Sequence, residues 1–337
     1  MAQIVVLYNT DFDEEQSKQT PDLTSVRESA KAIAVALHES GHTVELTGVH
    51  GVEVYSVLER LHRARPELLF NLCESMDNDA RNEPTFAGLL DLFKIPYTGA
   101  DLLALASCLH KHRTKEILTS HGVPTPPYRL LRTEADLAGL PFDRPWFVKL
   151  AHEDASLGIT EANVCHTPAA LARRAHELWA EFREPVLAEH YVEGREVNVT
   201  VFGWRDSLEV LPLHEIDFAA MPADRPRIVS YAAKWDESHV DYAGTKPVPM
   251  KNLAPAVRAE IERVAKAAFR AVDLRDYGRV DLRVDESGTP WVIDVNPNPD
   301  ISPDAGVARA AAAAGMPYPK MVARIADLAL ARYRGRF

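Results

Sequence analysis

Apolar spacing gives the first reading of the chain. Gln3 to Tyr8, with the aliphatic run Ile4-Val-Val-Leu7 inside it, reads as a strand covered on both faces. After an acidic loop from Asp11 to Asp22, Val26, Ala30, Ile33 and Leu37 recur at helical spacing. Thr24 or Ser25 is the expected cap of that helix, and Gly41 stands just past its end. Thr43 to Thr47 then reads as a strand, Val52 to Arg63 as a helix, Leu68 to Leu72 as a strand and Pro84 to Phe93 as a helix. Strands alternating with helices predict an α/β unit built on a parallel, doubly wound sheet. Ligands of such sheets lie beyond the carboxyl ends of the strands. The loops Asn9 to Thr20 and Cys73 to Asn82, which follow strands directly, are therefore expected to border a cleft. Ile95-Pro-Tyr-Thr-Gly99 leads into a helix from Asp101 to Cys108, and the first domain is expected to cover residues 1–107.

Beyond it the pattern changes. Val123-Pro-Thr-Pro-Pro127 is a stiff connector. Tyr128 to Arg132 and Trp146 to Leu150 read as strands, Thr133 to Ala138 as a short helix and Pro168 to Phe182 as an amphipathic helix with a solvated charged side. Val197 to Phe202 is a strand, Leu253 to Val272 a helix, and Ala305 to Ala314 and Tyr318 to Arg332 closing helices. The expected divisions are 108–188 and 189–337. Lys149 interrupts an apolar strand, where a lysine either snorkels at an edge or meets an anion. It is followed by His152-Glu-Asp-Ala-Ser-Leu-Gly158, a small-residue loop able to fold over phosphates.

The densest chemistry lies near the C-terminus. Tyr277 to Val284 and Trp291 to Asn296 alternate in the manner of strands around Asp285-Glu-Ser-Gly-Thr-Pro290, which predicts an antiparallel hairpin. With Ser287-Gly288 as a two-residue turn, Asp281 faces Asp294 and Arg279 faces Asn296. All four then share one face. Facing carboxylates repel unless positive charge lies between them. Two Asp and one Asn form an all-oxygen set suited to Mg²⁺, with Mn²⁺ an acceptable replacement. Arg279 beside them suits a phosphoryl group in transfer.

Gly278-Arg-Val-Asp281 followed by Asp294-Val-Asn-Pro-Asn-Pro299 resembles the metal-binding hairpin of ATP-grasp enzymes, and within them the D-alanine:D-alanine ligases. Asp294 stands where that family usually has Glu. Further matches follow in order. Lys111 in Lys-His-Arg-Thr-Lys and the strand residue Lys149 resemble the two phosphate lysines, and the loop holding Ser156 resembles the lid. Glu189 with the backbone of His190 and Val192 resembles the adenine-reading hinge, Glu196 the ribose contact, and Lys234 the lysine of a mobile loop near the γ-phosphate. What the resemblance implies is an ATP-grasp fold behind the first α/β domain, ATP and Mg²⁺ as cofactors, Arg279 and Lys234 as catalytic groups, and Asp281, Asp294 and Asn296 as metal ligands. The implied reaction is amide or peptide bond formation through an acyl phosphate. Lys234 also has a plainer reading, as a loop lysine beside Asp236 and Glu237.

The match has gaps. The first helix begins Leu23-Thr-Ser-Val-Arg-Glu28, unlike the family's Glu-Val-Ser segment, and the family's Gly and Ser after the hairpin are replaced by Asp300 and Ala305. Asp154-Ala155-Ser156 stands where the family favours Gly-Ser-Ser. Asp11, Asp13, Glu14, Glu15, Glu74, Asp77 and Asp79 make the cleft loops acidic. Glu74, Asp300 and Ser302 are the substrate candidates, and the acidity favours an amine-bearing or cationic substrate over D-alanine.

At 337 residues the chain exceeds one ordinary core. Its net charge of −11 argues against nucleic acid or an anionic membrane as the main partner, so an anionic nucleotide needs a local basic pocket. Cys73, Cys108 and Cys165 are scattered and form no Cys-x-x-Cys pair, which together with the absence of a basic leader predicts a reduced, cytoplasmic setting. The expected function is a carboxylate–amine ligase acting on small amino acid or peptide substrates, with a homodimer compatible with the resemblance. The alternatives are a true D-alanine:D-alanine ligase and, in another class, an ATP-grasp kinase or a non-catalytic ATP-binding module.

Overall fold

The computed structural model describes residues 1–10, 21–77, 79–153 and 156–335. The acidic residues Asp11, Asp13, Glu14 and Glu15, and Asp154 with Ala155, lie outside the described residues. The N-terminal part runs β1 (Gln3–Asn9), α1 (Pro21–Glu39), β2 (Thr43–Val49), α2 (Val54–Ala64), β3 (Leu68–Leu72), α3 (Glu83–Leu92) and α4 (Leu102–Leu109). Its three strands form a parallel sheet in the order β2-β1-β3. Ile4, Val6 and Phe70 pack with Ile33 and Leu37 on one face, while Val5, Leu7 and Leu69 pack with Leu58 and Leu61 on the other. Both faces are covered by helices, so the central strand β1 is buried along most of its length, while the edge strand β2 is mixed and partly exposed. Helix α1 begins at Pro21, ahead of the cap expected at Thr24 or Ser25.

The middle part holds α5 (Lys111–Ser120), β4 (Tyr128–Leu131), β5 (Trp146–Leu150), β6 (Val164–Cys165), α6 (Pro168–Phe182) and β7 (Val186–His190). Its antiparallel sheet has the order β4-β7-β5-β6 and its own core around Trp146, Val148, Leu171, Leu178 and Val186. The last part contains β8 (Arg195–Trp204), β9 (Ser207–Val210), β10 (His214–Asp217), α7 (Tyr231–Trp235), α8 (Val240–Gly244), β11 (Lys246–Pro249), α9 (Pro255–Ala271), β12 (Arg275–Val284), β13 (Pro290–Asn296), α10 (Gly306–Ala313) and α11 (Tyr318–Tyr333). Its sheet runs β11-β10-β8-β12-β13, with β9 also paired to β8. The apolar core runs across residue 107 without a break: Phe202, Tyr277, Met321 and Ile325 pack with Ile4, Val6 and Phe70. Among the described residues no helix is long and apolar enough to cross a membrane.

The hairpin of β12 and β13 pairs Arg279 with Asn296 and Asp281 with Asp294, as expected, but by a different route. Gly288 N–H donates to Asp285 O at 2.9 Å and Asp285 N–H to Thr289 O at 3.1 Å. The turn is therefore Glu286-Ser287-Gly288, three residues with Gly288 at φ +85, not the two-residue turn. Leu282 pairs with Val292, so Ile293 is an extra residue in β13. This bulge shifts the register back by one and restores the expected pairs at the hairpin's far end.

A buried ion pair joins the hairpin to both ends of the chain. Arg332 on α11 donates to Asp276 at 3.0 and 2.7 Å and to Tyr97 O at 2.8 Å. Asp276, fully buried on β12, also accepts from Gly99 N–H at 2.9 Å. Gly99 has φ +83, and a side chain there would meet Asn298 Oδ1 at 2.9 Å, so the turn that reaches the hairpin requires glycine. Removing one partner of such a pair strands a buried charge. Asp276→Ala should lower stability by about 3–5 kcal/mol, measured by denaturant unfolding, and a loss below about 1 kcal/mol, the value of an exposed pair, would contradict this role.

Candidate active site

The hairpin presents its polar face as expected. Arg279 grips Asp281 with two bonds of 2.8 Å, and Asn198 on the neighbouring strand β8 donates to the same carboxylate at 2.8 Å. Lys111 Nζ lies 4.0 Å from Asp294 Oδ1. The protein's own cations thus relieve the repulsion between the facing carboxylates, and that repulsion alone does not require a metal. Asn296 Oδ1 accepts from Asn298 N–H at 3.0 Å, and Asn298 donates from its amide to Glu83 at 2.5 Å, tying the strand end to the start of α3. Among the described residues no cluster of three His, Cys, Asp or Glu side chains has metal-ligand spacing. The available oxygen set is two Asp and one Asn, which suits a cation completed by water and phosphate oxygens.

Behind the hairpin lies a charge network that contains a residue the sequence reading missed. Glu189, 3 % exposed, sits between Lys149 at 2.8 Å and Lys115 at 2.7 Å. Lys115 had been seen only as part of the basic run after Lys111; α5 turns it inward, where it is 2 % exposed. It donates to Thr125 Oγ1 at 2.7 Å, and Thr125 donates to Val292 O at 2.8 Å, linking the stiff connector to β13. Lys149 donates to Ile293 O at 2.9 Å, the carbonyl of the bulged residue. The strand lysine is thus buried rather than snorkelling. Burial pushes the Glu189 carboxyl up, but Lys115 and Lys149 outweigh it and hold the group below its ordinary value. Asp294 behaves likewise, burial being outweighed by Lys111, Lys149, Arg279 and Lys115. Burial draws Lys115 below the usual lysine range against the pull of Glu189.

The expected hinge residues lie at the end of β7 and just after it. His190 N–H donates to Pro127 O at 2.9 Å, and Val192 O accepts from Arg283 at 2.9 Å. Arg283 also meets Glu196 at 3.0 Å. Burial raises the Glu196 carboxyl, with Arg283 opposing and Asp281 adding to the rise. Lys234 lies in the short helix α7, with Nζ 4.9 Å from the Trp235 ring centroid. Ser156 has φ +62 and its carbonyl accepts from Ile159 N–H at 3.0 Å, so it opens a tight turn at the end of the loop expected to act as a lid. At the start of that loop His152 stacks edge-on to His110 at 4.5 Å. Burial, then His110, His112 and Lys111, push His152 down to about 4, so the positive charge here comes from the lysines.

The substrate candidates lie in the loops that follow β3 and β13. Buried Tyr277 has its hydroxyl pushed far above the ordinary range by burial first, then by Glu74, Glu83, Asp276 and Asp300. Glu74 and Asp300, far apart in sequence, therefore act on one group, and Glu83 joins them. Ser302 faces Asp300 directly, donating to it from N–H at 2.8 Å and from Oγ at 2.5 Å. Asn9, at the carboxyl end of β1 and 4 % exposed, donates to Ser75 Oγ at 2.8 Å.

A family profile described as D-ala D-ala ligase C-terminus matches residues 117–327. An uncharacterised protein of Sinorhizobium fredii is 31 % identical over 313 residues, 91 % of this chain and 88 % of that protein. A D-alanine–D-alanine ligase of Bordetella avium is 32 % identical over 244 residues, 71 % of this chain and 72 % of the relative. The solved structure of a D-alanine–D-alanine ligase from Bacillus anthracis complexed with ATP matches over the whole of both chains, with a TM-score of 0.73 at 19 % identity, a likeness of fold.

Lys115 gives a direct test of the network. Lys115→Met leaves Glu189 with one lysine and should lower stability by about 3–5 kcal/mol. Combined with Glu189→Gln, the loss should be smaller than the sum of the two single losses, because the two groups act on each other. Strictly additive losses would contradict the pairing.

Proposed function

The chain belongs to the D-alanine–D-alanine ligase family of ATP-grasp enzymes, and on that premise we propose that it joins a carboxylate to an amine-bearing amino acid or small peptide other than D-alanine. It is an ATP-dependent, ADP-forming ligase. The observation that carries this reading is the meeting of Lys111, Lys115 and Lys149 with Asp294 and Glu189 behind the polar face of the hairpin. Three lysines against two carboxylates leave positive charge where a triphosphate would lie, in a chain whose net charge is −11.

Lys111 and Lys149 hold the phosphates and Lys234 approaches the γ-phosphate, with the Ser156 loop as a cover. Glu189 takes the adenine amino group, with the backbone of His190 and Val192 beside it. Glu196 holds the ribose. Asp281, Asp294 and Asn296 would hold Mg²⁺, which would supply screening of the phosphate charge. A substrate carboxylate oxygen attacks the γ-phosphorus, and the bond to the ADP oxygen breaks. The amine nitrogen then attacks the acyl carbon, loses a proton and expels phosphate. Arg279, held in plane by Asp281, faces the charge that develops on the transferring group. Catalysis of this kind is mainly positioning and charge stabilisation, and it requires no nucleophilic side chain.

The acidic surroundings of Tyr277 support the substrate class. Glu74, Glu83 and Asp300 all act on its hydroxyl. A second carboxylate brought there would be repelled, whereas an ammonium group would be attracted. The buried cysteines fit a reducing, cytoplasmic setting.

The test is phosphate release with ATP across single and paired D- and L-amino acids, diamines and dipeptides, with the products identified by mass. An amide product from a pair that includes a cationic or amine-rich member, well above any D-alanyl-D-alanine, is expected. Efficient D-alanyl-D-alanine synthesis with no better pair would overturn the substrate class. A phosphoester product, or no turnover throughout, would overturn the ligase reading.

A further inference from the structure

We infer that Arg283 is a positioning residue that couples the nucleotide hinge to the loop carrying Lys234, so that nucleotide recognition and phosphoryl transfer depend on one guanidinium. This rests on the nucleotide assignment above and adds a residue outside the matched motifs. Arg283 follows Asp281 on the same face of β12 and is 4 % exposed. Its guanidinium makes four bonds to three segments. Nε donates to Val192 O at 2.9 Å, and Nη1 to Glu196 Oε2 at 3.0 Å, which engages the hinge and the ribose candidate. Nη1 donates to Arg227 O at 2.9 Å and Nη2 to Tyr191 Oη at 3.2 Å. Tyr191 in turn donates to Arg227 O at 3.3 Å and offers its ring to Arg283 at 5.3 Å.

Arg227 leads directly into the segment that holds Lys234. Ser230 Oγ caps α7 by accepting from Ala233 N–H at 3.1 Å, and it donates to Asp241 at 3.1 Å. Tyr231 N–H donates to Ile159 O at 2.9 Å, next to the Gly158 end of the lid loop. Arg283 thus anchors one end of a segment whose other contacts are the lid loop and the helix with Lys234. A planar guanidinium offers five donors in a fixed fork, whereas a lysine offers a single point charge with three. A residue that only bound ribose would act equally on ground and transition states; one that also sets Lys234 acts on the transfer step as well.

The experiment compares Arg283→Met, Arg283→Lys, Tyr191→Phe and Glu196→Ala for KM(ATP), kcat and amide hydrogen exchange over residues 228–235. Glu196→Ala should raise KM with kcat retained. Arg283→Met should raise KM and lower kcat, each by about tenfold or more, and release protection of 228–235. Arg283→Lys, which keeps a charge beside Glu196, should recover KM more than kcat. Tyr191→Phe should loosen 228–235 in the same direction without stranding a charge, and it decides the matter should Arg283→Met not fold. Normal protection of 228–235 in the Arg283 and Tyr191 variants, or a change confined to KM, would overturn the coupling while leaving the ligase reading intact. An unaltered enzyme inactive towards ATP would instead remove the reading beneath it.

Discussion

The site depends on keeping five charges together in a largely water-excluded place. Lys111, Lys115 and Lys149 are buried, as is Glu189, and Asp294 opens only partly to the cleft. Desolvating each ion is costly, and pairing returns that cost only where geometry is good and the remaining donors are satisfied. Two lysines share Glu189, their other donors go to Thr125 and Ile293 O, and Lys111 looks to Asp294. The set still carries more positive than negative charge. A polyanion completes it, which is the physical reason for reading the cleft as a nucleotide site.

Much of the fold serves to hold that set in register. The bulge at Ile293 both restores the pairing of Asp281 with Asp294 and turns a carbonyl to Lys149. Thr125 fixes the connector against β13, and the Asp276–Arg332 pair fixes β12 against the closing helix and the Gly99 turn. The middle sheet keeps a separate apolar core, whereas Leu118 of α5 and Val123 of the connector pack into the larger core with β12 and β13. The lysines of α5 and β5 are thus held against the hairpin by apolar as well as polar contacts.

What the sequence revealed follows from local pattern. Alternating strands and helices were legible because burial on both sheet faces leaves apolar runs, as at Gln3–Asn9 and Leu68–Leu72. The facing aspartates were legible too, although two departures cancel: a three-residue turn and a one-residue bulge. Lys115 was hidden because a basic run at a helix start looks solvated until the helix is packed. Arg283 carried the period-2 signal of the strand, but its four partners come from segments distant in sequence. The gathering of Glu74, Glu83 and Asp300 around Tyr277, and the core shared between the N-terminal sheet and α11, are long-range packing that no local spacing encodes.

The central claim is that this cleft activates a carboxylate by phosphorylation for attack by an amine. The most direct measurement uses a carboxylate substrate labelled with ¹⁸O in both carboxyl oxygens, turned over with ATP and the amine, with the released phosphate analysed by mass. Transfer of one labelled oxygen to phosphate for each amide formed is the result the account predicts. Unlabelled phosphate accompanying amide formation, or phosphate release that proceeds without the amine product, would contradict it.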